Sequence, residues 1–121
     1  MLFSFQLVAH VWDQVGNTIT GVAANDFFGE AVSMNLDGTI VAVGAKNNDD
    51  SFSYDGHVRV FKWDGTNWNQ MGNAIVGESS FDSLGEAIDF SDDGLTLVLG
   101  GKDHDIHVDS DGRAKVYNCN V

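Results

Sequence analysis

The chain says nearly the same thing twice. Shifting it by 56 positions pairs residues 12–65 with 68–121 without a gap, and 18 of those 54 pairs are identical. The identities include Trp12/Trp68, Gln14/Gln70, Gly16/Gly72 and Gly21/Gly77. They continue through the Gly-Glu-Ala triplets at 29–31 and 85–87 to Asp55-Gly56 and Asp111-Gly112. A register kept over that length means two copies of one structural unit, and such units bury their apolar faces by stacking on neighbours.

Each unit reads as four short strands. Residues 28–35 alternate, with Val32 and Met34 on one face and Ala31, Ser33 and Asn35 on the other; Ile88 and Phe90 take the first face in the second copy. That period marks a strand with one packed face. Leu36-Asp37-Gly38 predicts a tight turn, because Gly adopts positive φ without strain. Residues 39–45 (95–101) are apolar on both faces, as in a strand sandwiched between sheets. A polar loop leads to a third strand at 57–63 (113–118), and Asp64-Gly65 turns into a fourth at 67–75. Fourteen glycines and no proline fit many tight turns without rigid linkers, and helical spacing is absent. The expected fold is all-β: β-propeller blades, each a four-stranded antiparallel sheet, in an incomplete ring. A duplicated sandwich or hairpin stack is the alternative.

The boundaries expected are residues 1–11 as the end of a preceding blade, 12–67 as repeat 1 and 68–121 as repeat 2. Phe3-Ser-Phe5 aligns with Arg59-Val-Phe61 of a third strand, so residues 12–19 form an outer strand without its blade, and the second blade lacks its outer strand. Two accounts stand: part of a longer repeat array, or a short chain that completes its ring as a homo-oligomer.

Composition narrows the partners. Eighteen acidic against six basic side chains give a formal charge of −12, which opposes binding to nucleic acid or to anionic membrane surfaces. No apolar run reaches the length of a membrane span. The opening twelve residues lack a basic n-region and a cleavage site, so no signal peptide is read there. One cysteine, Cys119, excludes an internal disulfide.

The copies carry a recognisable pattern. Asp26-Phe-Phe-Gly-Glu-Ala-Val32, Asp37-Gly38, Val41-Ala-Val-Gly-Ala45 and Gly56-His-Val-Arg-Val-Phe61 resemble an FG-GAP repeat, the blade of integrin-like propellers. Copy two echoes it with Leu84-Gly-Glu-Ala-Ile88, Leu97-Val-Leu-Gly-Gly101 and Gly112-Arg-Ala-Lys-Val-Tyr117. The W-x-Q-x-G lead-in resembles tandem repeats of large secreted or surface proteins. The resemblance implies a non-catalytic binding or structural module, extracellular or at the cell surface, with a protein or glycan partner. The other functions open to such blades are a self-assembling carbohydrate-binding lectin and part of a propeller hydrolase or lyase. Where calcium-binding blades of this family carry D-x-D-x-D-G, the chain has Asn35-Leu-Asp-Gly38 and Ser91-Asp-Asp-Gly94, too few oxygens for that ion.

Candidate chemistry concentrates in residues 102–112, KDHDIHVDSDG. Asp103, Asp105, His107, Asp109 and Asp111 fall at every second position, on one face of an extended chain or curled around an ion. Calcium is the candidate cofactor because carboxylates dominate; His104 and His107 would suit zinc. A solvated hairpin loop explains the same residues, since Asp favours turns before Gly. Glu30 and Glu86 repeat at one place in both units, which suits an architectural role, pairing with backbone or Lys, better than catalysis. No Ser/His/Asp spacing marks a catalytic residue. Trp12, Trp63 and Trp68 are candidates for stacking on sugars or, alternatively, for wedging between blades.

Overall fold

The computed structural model describes residues 9–48, 55–79, 81–101 and 112–120. Those residues form two antiparallel sheets and no helix. The first runs β1 (Ala31–Met34), β2 (Ile40–Ala45), β3 (His57–Trp63) and β4 (Trp68–Gln70), with β5 (Ile75–Val76) also paired to β3. The second runs β6 (Ala87–Phe90), β7 (Thr96–Gly101) and β8 (Arg113–Asn118). The registers repeat as the sequence does: Ala31 opposes Gly44 as Ala87 opposes Gly100, and Val60 opposes Ala42 as Val116 opposes Val98. These are the blades of an open, incomplete propeller.

The first strand of each blade is shorter than its alternation predicts. Residues 28–30 belong to a turn, in which Phe27 and Gly29 take positive φ and the Glu30 amide donates to the Phe27 carbonyl at 3.1 Å. The fourth strand is interrupted. Gln70 faces Phe61, whereas Val76 faces His57, so two extra residues sit between β4 and β5. Gly72, at φ 75°, makes that bulge, and Gln70 Nε2 donates to its carbonyl at 3.1 Å. Gln14 does the same to Gly16, also at 3.1 Å, with Gly16 at φ 73°. The W-x-Q-x-G motif is therefore a bend carried within the segment itself.

The blades meet face to face, with β6 against β1 and β2. Ala42 and Val58 of the first blade and Leu84, Leu97 and Leu99 of the second make the core, with Ile88 and Phe90 packed on it. Backbones touch at its inner end. The Leu84 amide donates to the Asp55 carbonyl at 3.1 Å, and Gly56 bridges Leu84 in parallel. A Cβ built on Gly44 would overlap the Gly85 carbonyl oxygen, and one on Gly56 would overlap the Leu84 backbone. Gly44→Ala is expected to lose about 1–3 kcal/mol, the usual cost of overpacking. Urea unfolding followed by tryptophan fluorescence measures it, with m unchanged.

Candidate functional site

Asp103, Asp105, His107, Asp109 and Asp111 lie outside the described residues, as does His104. What is described is the stem that holds them. Gly101 opposes Arg113 at the end of the β7–β8 ladder, and residues 102–111 lie between those two strands in sequence. Among the described residues no group of three or more His, Cys, Asp or Glu side chains is placed to hold a metal ion.

The two Asp-Gly turns, at 35–38 and 91–94, close on themselves. Asn35 Oδ1 accepts from the Thr39 and Ile40 amides at 3.0 and 2.9 Å, and Asp37 Oδ1 accepts from the Thr39 amide and hydroxyl. In the second blade Ser91 replaces Asn35. Its hydroxyl donates to Asp93 at 2.7 Å and accepts from the Thr96 amide at 3.0 Å, while Asp93 also accepts from the Leu95 amide. Thr39 holds the Asp37 carboxyl below its ordinary range; the Leu95 amide and Ser91 hydroxyl do the same for Asp93.

A second repeated acid organises the turn before each first strand. Asn25 and Phe27 take left-handed backbone, and so do Phe81 and Ser83 at the same places of the second blade. Between them sit Asp26 and Asp82, both buried. Asp26 accepts from Asn48 Nδ2 at 3.0 Å. Asp82 accepts from the Glu78 amide at 2.8 Å, the Ser79 amide at 3.0 Å and the Ser79 hydroxyl at 2.8 Å. Burial raises the Asp82 carboxyl, but those bonds and the nearby Arg113 outweigh it, so the net shift is downward. Asn48, Asp55 and His57 are buried close to the blade junction. The pattern held one trace of this polar cluster, the Asp26/Asp82 and Asp55/Asp111 identities, which read equally well as turn formers.

Glu30 pairs with Lys46 at 3.0 Å, which matches the architectural role expected of the repeated acid. Trp68 leans on Trp63, ring centroids 5.3 Å apart and planes at 51°. Its Nε1 donates to the Val15 carbonyl at 2.9 Å, and Gly16 lies against both rings. Trp12 is 97% exposed. The structure does not bring the two repeated tryptophans into one site. An apolar cleft of about 230 Å3 opens between the blades, lined by Val60, Met71, Ile75, Phe90, Leu97 and Tyr117 among others. It is smaller than the roughly 300 Å3 at which ligand sites usually begin.

Residues 18–61 match the family model of the FG-GAP repeat. The chain carries an FG-GAP repeat. The matched stretch runs through the buried Asp26 turn, β1, β2 and most of β3, and the shift of 56 residues pairs it with residues 74–117. No curated protein and no solved structure matches the chain.

The acids of these turns set the response to pH. A carboxyl depressed in the fold stabilises it fully above the unfolded value of 3.8, and the contribution fades as pH falls through the folded value. The melting temperature is therefore expected to drop on acidification below about pH 4. Asp82→Ala removes three bonds from a buried acceptor and should cost about 1–3 kcal/mol at pH 7, with a shallower acid limb. Thermal melts followed by circular dichroism between pH 2 and 7 read both.

Proposed function

We propose that this chain is a non-catalytic binding or structural module, blades of an integrin-like propeller in a secreted or surface protein, with a protein or glycan as partner. The use made of the duplicated acids carries the reading. Asp26, Glu30, Asp82 and Asp93 each hold a turn or an ion pair of their own blade. A carboxylate committed to its own turn is poorly placed to exchange protons with a substrate. FG-GAP repeats are typical of extracellular and surface proteins, which supports the placement.

The exposed indole of Trp12 offers a ring face to an apolar sugar face or to an apolar group on a protein. A glycan array and a pull-down from extracellular matrix identify the partner class; Trp12→Ala is expected to weaken capture at least tenfold. Full capture by Trp12→Ala removes the ring from the site, and turnover of a captured glycan overturns the non-catalytic reading.

The acidic stretch of residues 102–111 is proposed as a calcium site, on its alternating carboxylates and the β7–β8 pairing that flanks it. Calorimetric titration with calcium should release heat and raise the melting temperature, with zinc weaker. No heat and no shift with either ion identifies a solvated loop.

A further inference from the structure

The contact between the two blades is also a template. Each blade has a leading face, turned toward the blade before it, and a trailing face, turned toward the blade after it. In the second blade the leading residues Ile88 and Phe90 pack on the first blade. Their counterparts Val32 and Met34 are 61% and 52% exposed. On the trailing side, Ala42 and Val60 of the first blade lie in or against the core. Their counterparts Val98 and Val116 are 39% and 67% exposed. Val32 and Met34 on one face and Val98 and Val116 on the other are thus uncovered, although Val43 and Phe61 beside the first pair are buried.

The glycines repeat the message. Gly44 is a glycine because the Gly85 carbonyl lies where its side chain would be. The equivalent pair is Gly100 and Gly29. Among the described residues nothing lies within 4 Å of a Cβ on Gly29, and a Cβ on Gly100 would first meet Ala87, at an ordinary 3.4 Å. Gly100 has no positive φ either, so no described contact requires it to be glycine. Likewise Gly56 touches the Leu84 backbone, whereas its counterpart Gly112 has only the Gly101 carbonyl, 3.6 Å from a built Cβ.

A strand is ready for the open edge as well. Among the described residues β8 pairs with β7 alone. Residues 12–19 repeat the sequence that forms the outer strand of the first blade, and they already hold its bend, through Gln14 and Gly16. They lie beside the leading face, where Asn17 and Val15 accept from Trp68 and Arg59 donates to the Thr20 carbonyl at 3.1 Å. They form no strand there, and Val11, Trp12 and Val15 are exposed.

We infer that a second copy of this chain docks head to tail, its leading face and residues 12–20 covering the trailing face and the β8 edge of the first. The occupant follows from continuity with the interface inside the chain, since each exposed residue is the repeat counterpart of one buried there. The in-chain ladder fixes the register. Because Gln70 opposes Phe61 and Ile75 opposes Val58, Gln14 of the second copy opposes Tyr117, and Ile19 of the second copy opposes Ala114. Gly29 of the second copy meets Gly100. The interface combines an added strand, which sets register through backbone bonds, with an apolar face that supplies the driving force. It is heterologous: every contact uses one head and one tail. It does not depend on the partner proposed above.

Light scattering on size-exclusion fractions tests this with wild type, Val32→Asp (head blocked) and Gly100→Val (tail blocked). Both positions are open in the single chain, so both variants are expected to keep the wild-type far-UV spectrum; Val116→Asp replaces Gly100→Val should that variant misfold. Wild type should give masses at whole multiples of 13.1 kDa that rise with concentration. Each variant alone should stay at one chain. Mixed in equal amounts, they should form a dimer and stop, since one good head meets one good tail. In that dimer the amides of residues 113–118 should exchange more slowly than in either variant alone. Wild type at a single chain mass up to about 0.5 mM, a Kd beyond which the contact would be negligible, overturns the inference. So does wild-type assembly by either variant, or failure of the mixture to pair.

Discussion

Backbone meets backbone between the blades, and the rest of the fold is arranged around that approach. The Asp55 carbonyl, Gly56 and Gly44 on one side face Leu84 and Gly85 on the other, with no side chain between them. Contact this close needs glycine on both sides, and it draws the core residues Val58, Leu84 and Leu99 to packing distance. Before each first strand the chain turns left-handed. Phe27 and Ser83 carry side chains yet take positive φ, and a buried aspartate stands beside each, Asp26 bonded to Asn48 and Asp82 to Glu78 and Ser79.

Much of this was legible in the repeat. The shift of 56 residues found the two repeat units, and the period of two found the strands; the third, 57–63 and 113–118, agrees to the residue. The fourth strand misled, because residues 67–75 read as continuous while Gly72 and its bond from Gln70 divide them. Spacing alone does not distinguish a glycine that weakens a strand from one that bends it. Val32 and Met34 alternate as a packed face and yet stand open, since alternation records which face is apolar without saying what covers it.

The site was less legible, for a physical reason. Acids such as Asp26, Asp55 and Asp82 are set apart by burial, and Asn48 reaches Asp26 across 22 residues of sequence. Nothing local separates such an acid from one that merely forms a turn. Glu30 was easier, because its partner Lys46, just past the end of β2, repeats with it in sequence.

The distribution of side-chain bulk across a blade has a geometric consequence. Where the blades approach most closely the residues are Gly44, Gly56 and Gly85, whereas Trp63, Trp68 and Met71 lie at the outer strands. The outer path from Trp68 to Val76 is also lengthened by its two extra residues. A body thin at one margin and thick at the other is a voussoir, the tapered stone of an arch. Stacked on its own kind, it must turn, and the difference in volume between its margins sets the curvature of everything built from it.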